Sequence, residues 1–165
     1  MLKKCILFAV TAVFCIFQIA VDAAQATDVD PELRTVTLNE SGEMVTLSLE
    51  QVAVGKRIFN DTCAQCHAGG VTKTSPDLDL STESLAGAIP ARDNIVALVD
   101  YMKNPTTYDG EIEIYELHPS TRSADIFPEM RNLTDEELFA VAGHVLSQPK
   151  IIGRRWGGGK TKYST

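Results

Sequence analysis

Cys63-Ala64-Gln65-Cys66-His67 decides the reading of this chain. Two thiols separated by two residues, with a histidine directly after the second, form the C-x-x-C-H pattern of covalent c-type haem attachment. The spacing follows from the chemistry. Thiols two residues apart reach the two vinyl groups on one edge of a haem, and the imidazole that follows is held beneath the iron as its proximal ligand. A bare C-x-x-C is ambiguous between zinc, thiol redox chemistry and chance, and the adjoining His67 narrows it.

The rest of the cysteine inventory narrows it further. The chain has four cysteines. Lys3 and Lys4 form a basic start, Cys5 to Ala20 is almost uninterruptedly apolar, and Ala24-Gln25-Ala26 is an A-x-A cleavage signal. This pattern is a secretory signal peptide over residues 1–26, and the apolar run is short for an anchor helix. Cys5 and Cys15 leave with it, so Cys63 and Cys66 are the only cysteines of the mature chain. Zinc would need two more ligands, and the mature sequence offers only His118 and His144 besides His67. A disulfide suits an oxidising compartment, but it leaves the histidine unexplained. One covalently bound haem c with its iron is the expected cofactor.

Thr27 to Thr165 is 139 residues, one domain by length. It has no second long apolar run, so solubility is expected. Its 13 basic and 21 acidic residues give a net charge of −8. The asymmetry is sharper than the total. Lys150, Arg154, Arg155, Lys160 and Lys162 give residues 150–165 a charge of +5, which leaves −13 on residues 27–149. An acidic body argues against nucleic acid or anionic lipid as the main partner. The basic, Gly-rich tail at 150–165 reads either as a docking arm or as a solvated end.

The elements follow from pattern. Val36 and Leu38 oppose Val45 and Leu47 across Asn39-Glu40-Ser41-Gly42, which predicts a short β-hairpin within residues 27–47. Ser48 with Gln51 forms a capping box for a helix from Leu49 to about Asn60, leading into Cys63. Gly69-Gly70 and the stretch to Pro90 read as loop with one short helical turn. Ile95, Leu98, Val99 and Met102 repeat at helical spacing over 93–103, and Asn104-Pro105 ends that helix. A long loop over 106–132 carries His118-Pro119, and loops of that length in small domains are usually functional. Thr134 and Glu137 cap a last helix with an apolar stripe of Leu138, Val141, Ala142, Val145 and Leu146, which Pro149 is expected to stop.

The sixth iron position governs the chemistry. His118, His144, Met44, Met102 and Met130 are the candidates. His144 falls about 120° from the centre of the apolar stripe of its helix and is expected at solvent or on the stripe's flank. Met102 belongs to an apolar stripe and reads as core, while Met44 sits in the hairpin. His118 leads, in mid-loop before a stiffening proline and far enough past His67 to cross to the other haem face. Met130, in the same loop, is its rival. Paired histidines give a lower reduction potential than a His/Met pair and close the iron to small ligands.

The order helix, C-x-x-C-H, helix ending in Asn-Pro, ligand loop, last helix resembles the class I cytochromes c. That resemblance implies a mainly α, class I cytochrome c-like fold around one covalent haem, preceded here by the hairpin. It also implies a crossing of the first and last helices, placed at Gly55 and Phe59. More specifically, five runs resemble the cytochrome c-550 family of photosystem II extrinsic subunits. They are residues 101–110 (Tyr101-Met102-Lys103-Asn104-Pro105-Thr106-Thr107-Tyr108-Asp109-Gly110), His118-Pro119-Ser120, residues 122–128, Met130-Arg131-Asn132-Leu133-Thr134 and Trp156-Gly157-Gly158-Gly159-Lys160. This resemblance implies thioethers at Cys63 and Cys66 and iron ligands at His67 and His118. It implies residence in the thylakoid lumen, peripheral to the membrane. There the family's role is to bind the photosystem II core and other extrinsic subunits and to stabilise the manganese–calcium cluster with its calcium and chloride requirement. No catalytic residue is implied. The haem alone would equally suit a soluble electron-transfer cytochrome of the lumen or periplasm, and an enzyme such as a peroxidase would need an open sixth position.

Overall fold

The computed structural model describes residues 29–158. The expected signal segment, within residues 1–28, and residues 159–165 lie outside the described residues. Strands β1 (Thr35–Thr37) and β2 (Met44–Thr46) pair antiparallel with Val36 opposite Val45, as the alternation predicts. Gly42 closes the turn at φ +79°, a left-handed conformation that glycine adopts without a Cβ penalty. The inner face of the hairpin is apolar, with Val36 and Leu47 buried.

Helix α1 (Leu49–Ile58) begins at the expected capping box. Ser48 Oγ accepts from the Gln51 N–H at 3.0 Å, and Gln51 Oε1 accepts from the Ser48 N–H at 2.8 Å. The helix then widens into a π turn, Phe59–Cys63, where the Ala64 N–H bonds the Phe59 carbonyl. The short helix α2 (Ala64–His67) follows, so the whole haem-attachment motif is wound on helical backbone. Thr82–Ala86 forms α3, Ile95–Lys103 forms α4 with Asn94 as its N-cap, and Asp135–Ile152 forms α5 with the Thr134/Glu137 capping box.

Helices α1 and α5 cross almost backbone to backbone. A Cβ on Gly55 would lie 2.1 Å from the Ala140 carbonyl oxygen. The core that surrounds this crossing joins Leu47, Ile58, Phe59, Ile95, Leu98, Val141, Val145 and Trp156. The hairpin is tied to α4 and α5, through the Val96 N–H to the Leu38 carbonyl at 3.0 Å and through Lys150 Nζ to the Thr35 carbonyl at 2.6 Å.

Two expectations fail at the C-terminal end. Helix α5 does not stop at Pro149 but runs through it to Ile152. An internal proline forfeits one backbone bond and crowds the preceding turn, at a cost of roughly 3 kcal/mol. Contacts past the proline offset it: Lys150 reaches the hairpin, Ile152 packs against the core, and Trp156 is buried. The tail at 150–165 therefore begins as part of the folded body, with a 3₁₀ turn at Gly153–Arg155 and packed residues to Gly158.

Gly55→Ala is expected to destabilise the haem-loaded protein by about 3 kcal/mol, because the added methyl meets main chain that cannot move aside. On an exposed helix face the same change would stabilise by about 1 kcal/mol. Thermal or denaturant unfolding of the variant decides the sign.

Candidate haem site

The proximal side is built on the turn from α1 into α2. Cys63 and Cys66 are partly buried, and neither forms a disulfide. Burial pushes the Cys63 thiol up, opposed by the Thr62 hydroxyl 3.2 Å from its sulfur. After α2 the chain reverses through Gly69 and Gly70, both left-handed at φ +67° and +84°. The reversal brings Thr72 Oγ1 to 3.2 Å from His67 Nδ1, and the Val71 backbone also hydrogen-bonds the ring. Burial holds His67 below its ordinary value, so the ring is neutral at neutral pH.

The distal side comes from the long loop, which is well organised. Thr106 bridges Glu113, the Ile114 N–H bonds the Pro105 carbonyl at 2.9 Å, and the His118 N–H bonds the Ile114 carbonyl at 2.8 Å. His118 Nδ1 lies 2.9 Å from the Pro119 carbonyl, which assigns its proton to Nδ1 and leaves the Nε2 lone pair available to a metal. Tyr101 of α4 meets the His118 ring edge-on at 5.1 Å, and the Arg92 guanidinium caps Tyr101 at 4.0 Å. Arg92 is itself fixed through Nη2 to the Thr106 and Thr107 carbonyls. Burial first, and the charge of His67 next, push His118 down to about 4.

The two imidazoles oppose one another with centroids 6.1 Å apart and planes at 48°. A metal–imidazole nitrogen bond is about 2 Å and the ring centre lies about 1 Å beyond, so two rings on opposite sides of one ion stand about 6 Å apart. The spacing fits a single iron between them. Each ring also has its Nδ1 engaged, His67 by Thr72 and His118 by the Pro119 carbonyl, which would fix the orientation of a ligating histidine. Among the described residues no three His, Cys, Asp or Glu side chains converge as a metal cage. The residues present fit a haem: His67 and His118 could hold its iron, and Cys63 and Cys66 could anchor it covalently.

Of the other candidates, Met44 is exposed on the hairpin and Met102 packs against the core, while Met130 is buried in a 3₁₀ turn, Pro128–Met130, that contacts the Phe59–Cys63 π turn. His144 departs from expectation: it is buried at 6 % exposure, its ring 5.0 Å from Phe59 and 5.9 Å from Trp156. The single-stripe reading of α5 fails because the helix is covered on several faces. Ala140, Gly143, His144 and Ser147 are buried as well as Leu138, Val141, Ala142 and Val145 of the apolar stripe.

The cytochrome c-550 domain model matches residues 27–163. The chain belongs to the cytochrome c-550 family. Photosystem II extrinsic protein V of Thermosynechococcus vestitus is 59 % identical over 163 residues, 99 % of this chain and 100 % of that protein. The protein of the same name from Gracilaria tenuistipitata var. liui is 58 % identical over 152 residues, 92 % of this chain and 93 % of that one. The crystal structure of cytochrome c549 superposes with a TM-score of 0.76 at 57 % identity, covering 78 % of this chain and 99 % of that chain. The fold is thus a class I cytochrome c fold, mainly helical with an added hairpin. The protein carries one covalently bound haem c and is a haem-binding subunit rather than an enzyme.

Arg92, Tyr101, Thr72 and Trp156 are structural partners of the site that pattern reading did not single out. Tyr101 follows Asp100 on α4, and no helical period marks it as facing His118. Only the folded loop brings the two together.

Burial, then the charge of Lys56, push His144 down to about 4. Its folded-state value lies below the unfolded one, near 6.5, so the unfolded chain takes up the proton first as pH falls. His144 therefore contributes full stability above pH 6.5 and loses it at about 1.4 kcal/mol per pH unit between there and pH 4. The stability difference between wild type and His144→Gln, measured across that range, is expected to show this slope.

Proposed function

We propose that this chain is an extrinsic haem subunit of photosystem II on the lumenal side of the thylakoid membrane. There it binds the core and neighbouring extrinsic subunits and stabilises the manganese–calcium cluster with its calcium and chloride requirement. Its haem is a low-potential, bis-histidine c-type haem with thioethers at Cys63 and Cys66 and axial ligands His67 and His118. The opposed imidazoles, 6.1 Å apart, carry this reading. Two strong nitrogen donors favour ferric iron and lower the potential relative to His/Met ligation. With both histidines bound to it, the iron would have no place for a substrate or for carbon monoxide. Bound haem supplies reversible one-electron chemistry. The chain's own residues hold the two imidazoles neutral, oriented and shielded.

The relatives named as photosystem II extrinsic proteins support the assignment to that complex. Among the described residues no helix is long and apolar enough to cross a membrane, in keeping with peripheral attachment through protein contacts. The segregation of acidic body and basic C-terminal tail supplies a polar docking surface.

Oxygen evolution by photosystem II particles stripped of extrinsic subunits tests the role. Adding back the mature haem protein at low calcium and chloride should restore activity, and absence of both binding and restoration would leave a soluble electron carrier instead. His118→Met should raise the midpoint potential markedly with the haem still covalently bound. An unchanged potential and spectrum would exclude His118 as a ligand. Ending the chain after Gly158 should weaken binding to the particles without changing the haem spectrum, since the packed residues through Gly158 are kept.

A further inference from the structure

Beyond α5 the sequence has the composition of a loose end, yet its first residues are folded back onto the body. Gly153 leaves the helix at φ +60°, and a 3₁₀ turn returns the chain to the haem-attachment side. Trp156 is then buried, its ring 5.5 Å from Phe59. Three hydrogen bonds converge where it lands. Trp156 Nε1 donates to the Leu80 carbonyl at 2.8 Å, the Gly157 N–H donates to the Gly69 carbonyl at 2.8 Å, and the Leu80 N–H donates to the Gly70 carbonyl at 2.7 Å. Gly70 lies flat against the indole, where a Cβ would come within 2.7 Å of two indole carbons.

Gly69 and Gly70 have no side chains to anchor them, and glycine is the residue with the most backbone freedom to lose. They also occupy a critical place. They follow His67-Ala68 directly, and the next two residues, Val71 and Thr72, supply the hydrogen-bond partners of the His67 ring. Whatever holds these glycines holds those partners. A plug that only filled the core would need burial alone, whereas here the C-terminal segment grips the backbone of both glycines, one directly and one through Leu80.

We infer that Trp156 is a positioning residue for the proximal histidine: with the Gly157 amide it clamps the Gly69–Gly70 turn and so sets the hydrogen bonding of His67 Nδ1. The inference rests on the proposed ligation of iron by His67. A firm acceptor at Nδ1–H makes an imidazole a stronger donor to its metal and favours the ferric state. Loosening the clamp weakens that acceptor, and the reduction potential rises.

The test uses haem-loaded protein and the variants Trp156→Ala, Trp156→Phe and Gly70→Ala, with Leu47→Ala as a buried control beside the hairpin. The readouts are midpoint potential, solvent exchange of the His67 Nδ1 proton by paramagnetic NMR, and melting temperature. Trp156→Ala is expected to shift the potential positive and to speed that exchange roughly tenfold, the equivalent of one lost hydrogen bond. Trp156→Phe keeps a ring but loses the bond to Leu80, and should shift both in the same direction by less. Gly70→Ala should do so with the tryptophan still present. Leu47→Ala should melt earlier at wild-type potential. Trp156→Ala that melts earlier at wild-type potential and exchange would overturn the inference. If that variant does not fold, wild-type values in both Trp156→Phe and Gly70→Ala overturn it equally. Absence of paramagnetically shifted His67 ring protons in the wild-type protein would instead refute the ligation reading beneath it.

Discussion

At Gly55 the main chain of α1 rests on the Ala140 carbonyl of α5 with no side chain between them. This close approach fixes where both ends of the fold arrive. One turn after it, α1 widens into the π turn that delivers Cys63. One turn after Ala140 on the same helix, His144 packs on Phe59, and the chain beyond α5 brings Trp156 onto the same ring. The haem-attachment segment is thus held from two directions, by the helix that precedes it and by the residues that follow the last helix. A larger residue at Gly55 would separate the helices and displace both supports together.

The opposed histidines impose a second constraint. Two imidazoles 6.1 Å apart in a buried setting cannot both carry a proton's charge without strong mutual repulsion. Burial and the neighbouring ring push His118 down to about 4, and burial lowers His67. Both rings are therefore neutral, the form in which an imidazole binds a metal. The distal ring is held by local means, its N–H on the Pro119 carbonyl and its edge on Tyr101. The proximal ring depends on a turn of two glycines that other parts of the chain must hold.

Much of this was legible in the sequence, because the relevant signals are local. The C-x-x-C-H spacing, the two capping boxes, the hairpin alternation and the Asn104-Pro105 stop all act within a few residues. The family resemblance places Gly55 at the helix crossing, and the structure puts it there. What escaped depends on tertiary context. A π turn adds one residue to a helical turn and leaves no periodic trace. His144 lies off a stripe, and a stripe predicts burial only when a helix has a single covered face. Pro149 carries an intrinsic helix-stopping signal, and contacts beyond it override that signal. The stack of Arg92 on Tyr101 on His118 joins residues from a loop, a helix and a second loop, so no window of sequence contains it.

The proposed ligation has His67 and His118 holding one iron between them. Near-infrared magnetic circular dichroism of the ferric, haem-loaded protein reads the axial ligand pair directly, through a charge-transfer band whose position differs between His/His and His/Met. Ligation by His67 and His118 predicts the bis-histidine band in the ferric protein and, separately, a visible absorption spectrum of the reduced protein that carbon monoxide leaves unchanged. A His/Met band would contradict it and transfer the sixth position to a methionine, with Met130 the first residue to replace.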